Sequence, residues 1–483
     1  MNATKPFLLG ILVSVAGCAV GPDYQKPSIA VQDHWQGERS LNDPLKPIQE
    51  AQLETWWESF GDRTLDELER KGRSSNLDLK MALTRIDQAH AEKLANRAAL
   101  FPQIGAAAAG GYASNFLPSQ LSQSTPNNFG MLFTGMDALW EIDVFGRLRR
   151  RLEAAAATHE GAAENYRQAW VLLSAEIAKE YVTYRNIQAL LRISRENLRA
   201  QRHTLELTER LLEEGVGTLF DVTRAKSLFK ATESEIPKYE GLMAESQHKL
   251  ELLIAARPGT LSAELAKEAP VPVPRNRDIL VKPAATLRLR PDVRESERSL
   301  AAATANQGAA FAELFPKISV AAFMGVQNSD LENLFRSSAF SWASGSAIMQ
   351  PVFNFGRIRA GIDLADARQR EAYLEYEKTI LEALKETETA LRLLVKEEER
   401  RQHLEISVGH LREARRLAEL RYREGISNFI DVLESERAIF AEEMNLAEAR
   451  AQTTIYLISL FKSLGGAGNL PVAPPDDSIR PWG

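Results

Sequence analysis

The chain has 483 residues, a formal net charge of −6 and a single cysteine, Cys18. The negative balance gives no electrostatic case for a nucleic-acid partner, and one cysteine excludes an internal disulfide. Length alone would permit several domains, but the internal pattern argues for one unit used twice.

The N-terminus reads as an export signal. Lys5 supplies a positive flank, and Phe7 to Val15 form an apolar core too short to span a bilayer. Val15-Ala16-Gly17-Cys18 follows and resembles a bacterial lipobox, in which the cysteine becomes the lipidated first residue. The alternative is an ordinary cleavage site that contains a cysteine. On the first reading residues 1–17 are a signal peptide and Cys18 carries the lipid. Acyl chains add about 0.8 kcal/mol of membrane affinity per buried CH₂, so a multiply acylated cysteine anchors firmly. Ala19, rather than Asp, resembles the position that sends bacterial lipoproteins to the outer membrane. Residues 18–50, with Pro22, Pro27, Pro44 and Pro47, read as an extended lipidated tether. Past Cys18 no apolar run of 18 or more residues occurs, so any further membrane crossing must be a closed β-barrel.

The rest of the chain is a tandem repeat. Glu214-Gly215 is followed by Asp221-Val222, and Glu424-Gly425 by Asp431-Val432, at the same spacing. Phe145-Gly146-Arg147 returns as Phe355-Gly356-Arg357, and Phe101-Pro102 as Phe315-Pro316. The repeats cover residues 51–257 and 284–464, joined by a Pro-rich linker at 258–283 and followed by a disordered tail at 465–483. Each reads as helix, Phe-Pro break, β-hairpin (102–143 and 316–353), Phe-Gly-Arg, very long helix, Gly turn and return helix. Pro237 and Gly241 predict a kink in the first return helix that the second lacks.

Leu132, Met136, Ala138, Trp140 and Ile142 alternate with Asp137, Glu141 and Asp143, the apolar-out, polar-in period of a membrane barrel strand. A soluble hairpin with one buried face would alternate in the same way. Four strands are too few to close a barrel, so any barrel must be shared among subunits. The long runs that follow hold no Pro and few Gly; a helix of about 68 residues reaches roughly 100 Å at about 1.5 Å per residue. Leu191, Leu198, Leu205 and Leu212 recur at the heptad spacing of a helix seam.

Catalytic and metal motifs are missing: no His-Glu-x-x-His, Cys-x-x-Cys, P-loop or dinucleotide loop is present. His403 and His410 lie seven apart on a helix and read as surface or seam residues. The expectation is no enzyme, no metal and no cofactor other than covalent lipid. Asp221 and Asp431 stand at the third position after Thr218 and Asn428, where an acid caps a helix N-terminus. If several copies packed around an axis, Asp221, Asp431 and Glu434 would also form rings of negative charge. The two roles are compatible.

Cys18-Ala-Val-Gly-Pro-Asp-Tyr-x-x-Pro27, Trp56-Trp57 with Phe60 and Asp62, Asn76-x-Asp78, Phe101-Pro102, Phe145-Gly146-Arg147 and both turns together resemble the TolC-like outer-membrane efflux factor family, in its lipoprotein branch, over nearly the whole chain. The resemblance implies a mainly α fold with a membrane β-barrel. Long helical hairpins would form a periplasmic tube, and each subunit of a homotrimer would give four strands to one twelve-stranded barrel. It implies a lipid-anchored outer-membrane channel, a passive gated duct that docks on a periplasmic adaptor and an inner-membrane transporter. The family's gate positions fall here on Asp221, Tyr422, Asp431 and Glu434, and its adaptor-docking tips on Gly215, Gly217, Gly425 and Ser427. A basic gate residue of some members corresponds to Ser427, so an ionic lock would have to come from Arg421 or Arg423. The competing expectation is a lipid-anchored periplasmic coiled-coil scaffold without a pore.

Overall fold

The structure, a computed structural model, describes residues 19–28, 30–37, 50–114, 128–274, 281–424, 426–466 and 468. The signal peptide, Cys18, Gly425, the polar loop of the first hairpin and most of the expected tail lie outside these residues. The chain divides into two compact units: Met1–Ser28, Arg85–Ala162 and Glu295–Glu377 form one, and Ile29–Thr84, Ala163–Arg294 and Lys378–Gly483 the other.

The helices are α1 (Glu50–Glu54), α2 (Arg63–Ser75), α3 (Leu77–Ala98), α4 (Arg147–Glu213), α5 (Leu219–Leu253), α6 (Ser262–Leu265), α7 (Pro283–Leu289), α8 (Pro291–Ala312), α9 (Arg357–Arg423) and α10 (Phe429–Ser463). The strands are β1 (Gln103–Ser114), β2 (Asn128–Ile142), β3 (Lys317–Asn328) and β4 (Phe340–Met349). Helices α4 and α9 have 67 residues each, and α5 and α10 have 35 each. Helix α5 continues through Pro237 and Gly241 without interruption. No helix among the described residues is long and apolar enough to cross a membrane.

In the first unit the four strands form one antiparallel sheet in the order β1-β2-β3-β4. Met136 stands opposite Ala106 on one side and Met324 on the other, and Met324 opposite Trp342. Because side chains alternate with period two, this register gathers the even-numbered residues of all four strands on one face. That face carries Ile104, Leu132, Met136, Val320, Met324 and Ile348, while Asp137, Glu141, Lys317 and Gln327 lie on the other. Ile104, Met136, Met324, Trp342 and Ile348 are all exposed in the single chain. Where β2 gives way to α4, Asp143 accepts from the amides of Leu148 and Arg149 at 3.1 and 2.8 Å and caps the helix. Arg147 there grips Glu141 with bonds of 2.7 and 2.8 Å.

The residues after Cys18 are clasped to the same unit. The Val20 amide donates to the Phe145 carbonyl at 3.1 Å. Gly21 lies so close to Gly308 that a Cβ on Gly21 would come within 2.5 Å of the Gly308 Cα. Arg150, itself buried, donates to Asp23 at 2.6 Å. Glu297 accepts from Lys26 at 2.5 Å, Tyr24 at 3.2 Å and Arg298 at 2.6 Å. These partners explain why Gly21, Asp23 and Tyr24 stand where they do.

The second unit shows what the motifs between Trp56 and Asp78 are for. Trp56 stacks on Phe461 with centroids 5.2 Å apart, and Trp57 meets Trp170 edge-on at 5.8 Å. Asp62 caps α2 by accepting from Thr64 and Leu65 amides at 2.9 and 3.2 Å, and it also accepts from the Tyr181 hydroxyl at 2.8 Å. Asn76 accepts from the Leu79 amide at 2.9 Å and donates to the Leu253 carbonyl at 2.8 Å. These residues shape the core rather than a site. Within the stretch read as a linker, Leu261 and Leu265 are fully buried. Gly465 and Gly466, assigned to the tail by the sequence, are also buried, Gly465 against Leu289 and Gly466 against Trp56 and Phe461.

Glu69 on α2 is 1% exposed, and burial pushes its carboxyl well above the ordinary carboxylate range, with Asp66 adding to the rise and Ser174 opposing it. The folded protein therefore holds this proton after the unfolded chain has released it. Stability falls as pH rises from the unfolded glutamate value toward the folded one. The expected outcome is that the melting temperature of the detergent-solubilised protein declines between pH 5 and 8, and that Glu69→Gln flattens this decline; thermal unfolding followed by circular dichroism across that range checks it.

Candidate functional site

The turns that join α4 to α5 and α9 to α10 lie in the second unit. Helix α4 ends in a Schellman motif: the Val216 amide donates to the Leu211 carbonyl at 3.0 Å and the Gly215 amide to Leu212 at 3.0 Å. Gly215 adopts φ +76°, which glycine reaches without a Cβ penalty. In the second turn the Ile426 amide makes the matching bond to the Arg421 carbonyl at 2.8 Å. Val216 is 76% and Ile426 67% exposed, and Leu219 and Phe220 are exposed beside Val216. The tips therefore present apolar side chains to solvent.

The two return helices start differently. Thr218 is the N-cap of α5: its hydroxyl oxygen accepts from the Asp221 amide at 3.2 Å and donates to the Asp221 carboxylate at 2.6 Å. Asn428 is the N-cap of α10 but makes no side-chain capping bond. The expected capping pair thus forms in the first repeat only.

Behind the tips the two hairpins share one apolar cluster. Phe429, Val432 and Leu433 of α10 pack with Ala225 of α5, and Leu205, Leu228, Ala418 and Tyr422 close around them. The Tyr422 ring lies 5.3 Å from that of Phe429. Burial pushes the Tyr422 hydroxyl up, and the Asp221 carboxylate adds to the shift. Two of the four gate candidates, one from each repeat, thus lie within electrostatic reach of each other, while the hydrogen bonds of Asp221 go to Thr218. Asp431 and Glu434 face solvent on α10. Gly217 is tightly seated, since a Cβ there would approach the Leu212 nitrogen at 3.0 Å. The Ser427 hydroxyl is shielded from solvent and makes no hydrogen bond among the described residues. Arg421 is exposed.

The next layer holds a contact that sequence reasoning missed. Glu436 of α10 is buried and accepts from Thr204 of α4 at 2.9 Å, with Arg415 of α9 at 3.7 Å. Burial raises its carboxyl above the ordinary range, while Thr204 and Arg415 oppose that rise. Along α4 the heptad leucines alternate with Ser194, Gln201 and Thr208, all buried. The Ser194 hydroxyl and the Gln201 amide oxygen find no hydrogen-bond partner among the described residues. The seam is thus half polar, and Ser194, Gln201 and Thr208 at spacing seven were the available signal. Among the described residues no three His, Cys, Asp or Glu side chains group as they would around a metal ion.

The chain matches the outer membrane efflux protein family over residues 70–256 and again over 283–466. It is 28% identical over 471 residues to the cation efflux system protein CusC of Escherichia coli strain K12, covering 96% of this chain and 100% of that one. It is 30% identical to the toluene efflux pump outer membrane protein TtgC of Pseudomonas putida, covering 96% of this chain and 94% of that one. The solved outer-membrane channel OprN superposes with a TM-score of 0.87 at 32% identity, covering 93% of this chain and 99% of that chain. The chain belongs to the outer membrane efflux protein family: it is an outer-membrane channel of an efflux system, with long helical hairpins for the periplasmic tube and four strands that are its share of a barrel built by three copies.

Proposed function

We propose that this channel is a passive duct, closed near its helix tips until a periplasmic adaptor and an inner-membrane transporter engage it, and that lipid on Cys18 anchors it in addition to the barrel. The observation that carries the gate is the apolar cluster shared by the two hairpins, in which Phe429, Val432 and Leu433 of α10 pack with Ala225 of α5 and Tyr422 of α9 lies against Phe429. In a threefold assembly Asp221, Asp431 and Glu434 recur around the axis as rings of negative charge, an arrangement that favours cations, and Asp221 and Asp431, crowded at the aperture, contribute to its closure. The half-polar seam on α4 supports movement, because buried polar positions weaken helix adhesion relative to an all-leucine seam. The tips are the proposed adaptor contact: Gly215, Gly217, Gly425 and Ser427 provide the turns, and Val216 and Ile426 the exposed apolar surface.

The lipid proposal is supported by the clasp on residues 19–26, which gives the chain just after Cys18 a fixed seat at the junction of β2 and α4. Cargo is set by the transporter. Relatives of nearly equal similarity are named for a cation and for toluene, and the gate residues are acids and a tyrosine rather than a cargo-shaped pocket. A scaffold without a pore would have no use for the strands.

Asp221→Ala combined with Asp431→Ala is expected to raise leak conductance in planar bilayers and to reduce cation preference. Unchanged conductance and selectivity would leave these acids with a capping role only. Thr218→Ala separates the two roles: it removes the cap, costing about 1 kcal/mol, but keeps both charges. The expected result is a lower melting temperature with cation preference intact.

A further inference from the structure

One carboxyl lies between the hairpins of the two repeats. Glu436 of α10 is 2% exposed. Its Oε1 accepts from the Thr204 hydroxyl of α4, in the first repeat, at 2.9 Å. Arg415 of α9 stands 3.7 Å from the same oxygen, too far for a hydrogen bond. Oε2 is shielded from solvent and has no hydrogen-bond partner among the described residues. The titratable and charged groups that face this carboxyl come from both neighbouring helices: His203 on α4, and Arg415 and Glu419 on α9. Burial is the largest influence and favours the neutral acid, as does Glu419, while Thr204, Arg415 and His203 favour the ionised form.

The fold does not require an acid at this place. The counterpart of Glu436 in the first repeat, 210 positions earlier, is Lys226 of α5. Lys226 pairs with Glu209 of α4 at 2.9 Å, and the two side chains are 58% and 42% exposed. Thr204 and Arg415 correspond in the same way to Ala414 and Leu205. One repeat therefore sets an exposed ion pair where the other sets a buried carboxyl with a hydroxyl donor. Packing the repeat does not account for Glu436, since the first repeat packs without it.

We propose that Glu436 is a positioning residue of the gate, a latch that keeps the hairpins of the two repeats together while its carboxyl is neutral and lets them part when it ionises. A neutral acid leaves no charge inside the closed packing. An ionised one is a buried carboxylate with one oxygen unpartnered and its nearest cation beyond bonding distance, which is costly. Separation of α10 from α4 brings water to the carboxyl, where ionisation carries no such cost. The closed form therefore holds this proton more tightly than the open form. Acid favours closure, and the open form gains as pH rises from the ordinary glutamate value toward the closed-state value; above that the balance is constant. Thr204 and Arg415 set where the change falls, because each favours the ionised form. The proposal rests on the gate near the helix tips and adds to it a buried, proton-sensitive contact, distinct from Asp431 and Glu434, which face solvent.

The test uses the full-length channel, extracted from outer membranes in mild detergent and placed in planar bilayers. Wild-type conductance is expected to rise by about threefold or more between pH 5 and 8. Glu436→Gln, neutral at every pH, should lose most of that rise and stay near the low level, and Glu436→Asp should restore it. Thr204→Val and Arg415→Gln should each move the midpoint of the rise to higher pH, which loss of a merely structural contact would not do. These two variants also decide the matter if Glu436→Gln fails to assemble. A wild-type conductance that is flat across this range, a Glu436→Gln profile equal to the wild type, or a midpoint unmoved by Thr204→Val and Arg415→Gln would overturn the latch. Asp221→Ala with Asp431→Ala, measured alongside, judges the gate itself. Raised leak there with a wild-type profile in Glu436→Gln would overturn the latch alone; no change in either variant would overturn latch and gate together.

Discussion

A sheet of four strands ends in two rows of unpaired backbone N–H and C=O groups, and in a hydrocarbon layer those groups have no water to turn to. This constraint governs the molecule. Alternation of side chains makes one face of the sheet apolar, and the register of β1 to β4 carries that face across all four strands. Only closure with further copies satisfies the edges. Once the strands are shared around an axis, the helices that follow each hairpin are arranged around the same axis. In the proposed gate, Asp221 of the first repeat and Asp431 and Glu434 of the second then recur around that axis. On this proposal the aperture chemistry follows from how the sheet edges are satisfied.

The two repeats have kept their lengths and diverged in detail. Helices of 67 and 35 residues recur in each, and the ends of both long helices share one bond, from the Val216 amide to Leu211 and from the Ile426 amide to Arg421. Yet Thr218 caps its helix through its side chain and Asn428 does not. Gly146 is covered by Ala19, whereas the space around Gly356 is open. The N-terminal clasp can occupy only one of the two equivalent seats. Duplication thus yields two sets of positions, and assembly and anchoring use them unequally.

The long helices were legible in the sequence because Pro and Gly are scarce between the Phe-Gly-Arg motifs and the Gly turns, and their observed ends fall within two residues of those punctuation marks. The strands were legible from alternation, although Met131, Phe133 and Leu139 share the face of β2 that carries Asp137 and Glu141 and blur the pattern. At Pro237 the sequence predicts a kink, and α5 stays helical on both sides of it. The burial of Glu69 and Glu436 was not legible, because each sits on a helix among other acids that are less buried and only tertiary contact distinguishes them. Nor could the sequence show that Arg150, Gly308 and Glu297 hold the residues after Cys18, since those contacts span more than a hundred positions. At the gate, the positions Asp221, Tyr422, Asp431 and Glu434 came from the resemblance, while the Thr204–Glu436 contact required the packing of three helices.

The most direct measurement is imaging of the mature protein, extracted from outer membranes in mild detergent, as single particles. A hollow cylinder with threefold symmetry, its helical part emerging from a detergent belt, is the predicted result, and it does not depend on whether the gate is open. A thin rod without a lumen would contradict the account, because the strands would then not be shared around an axis.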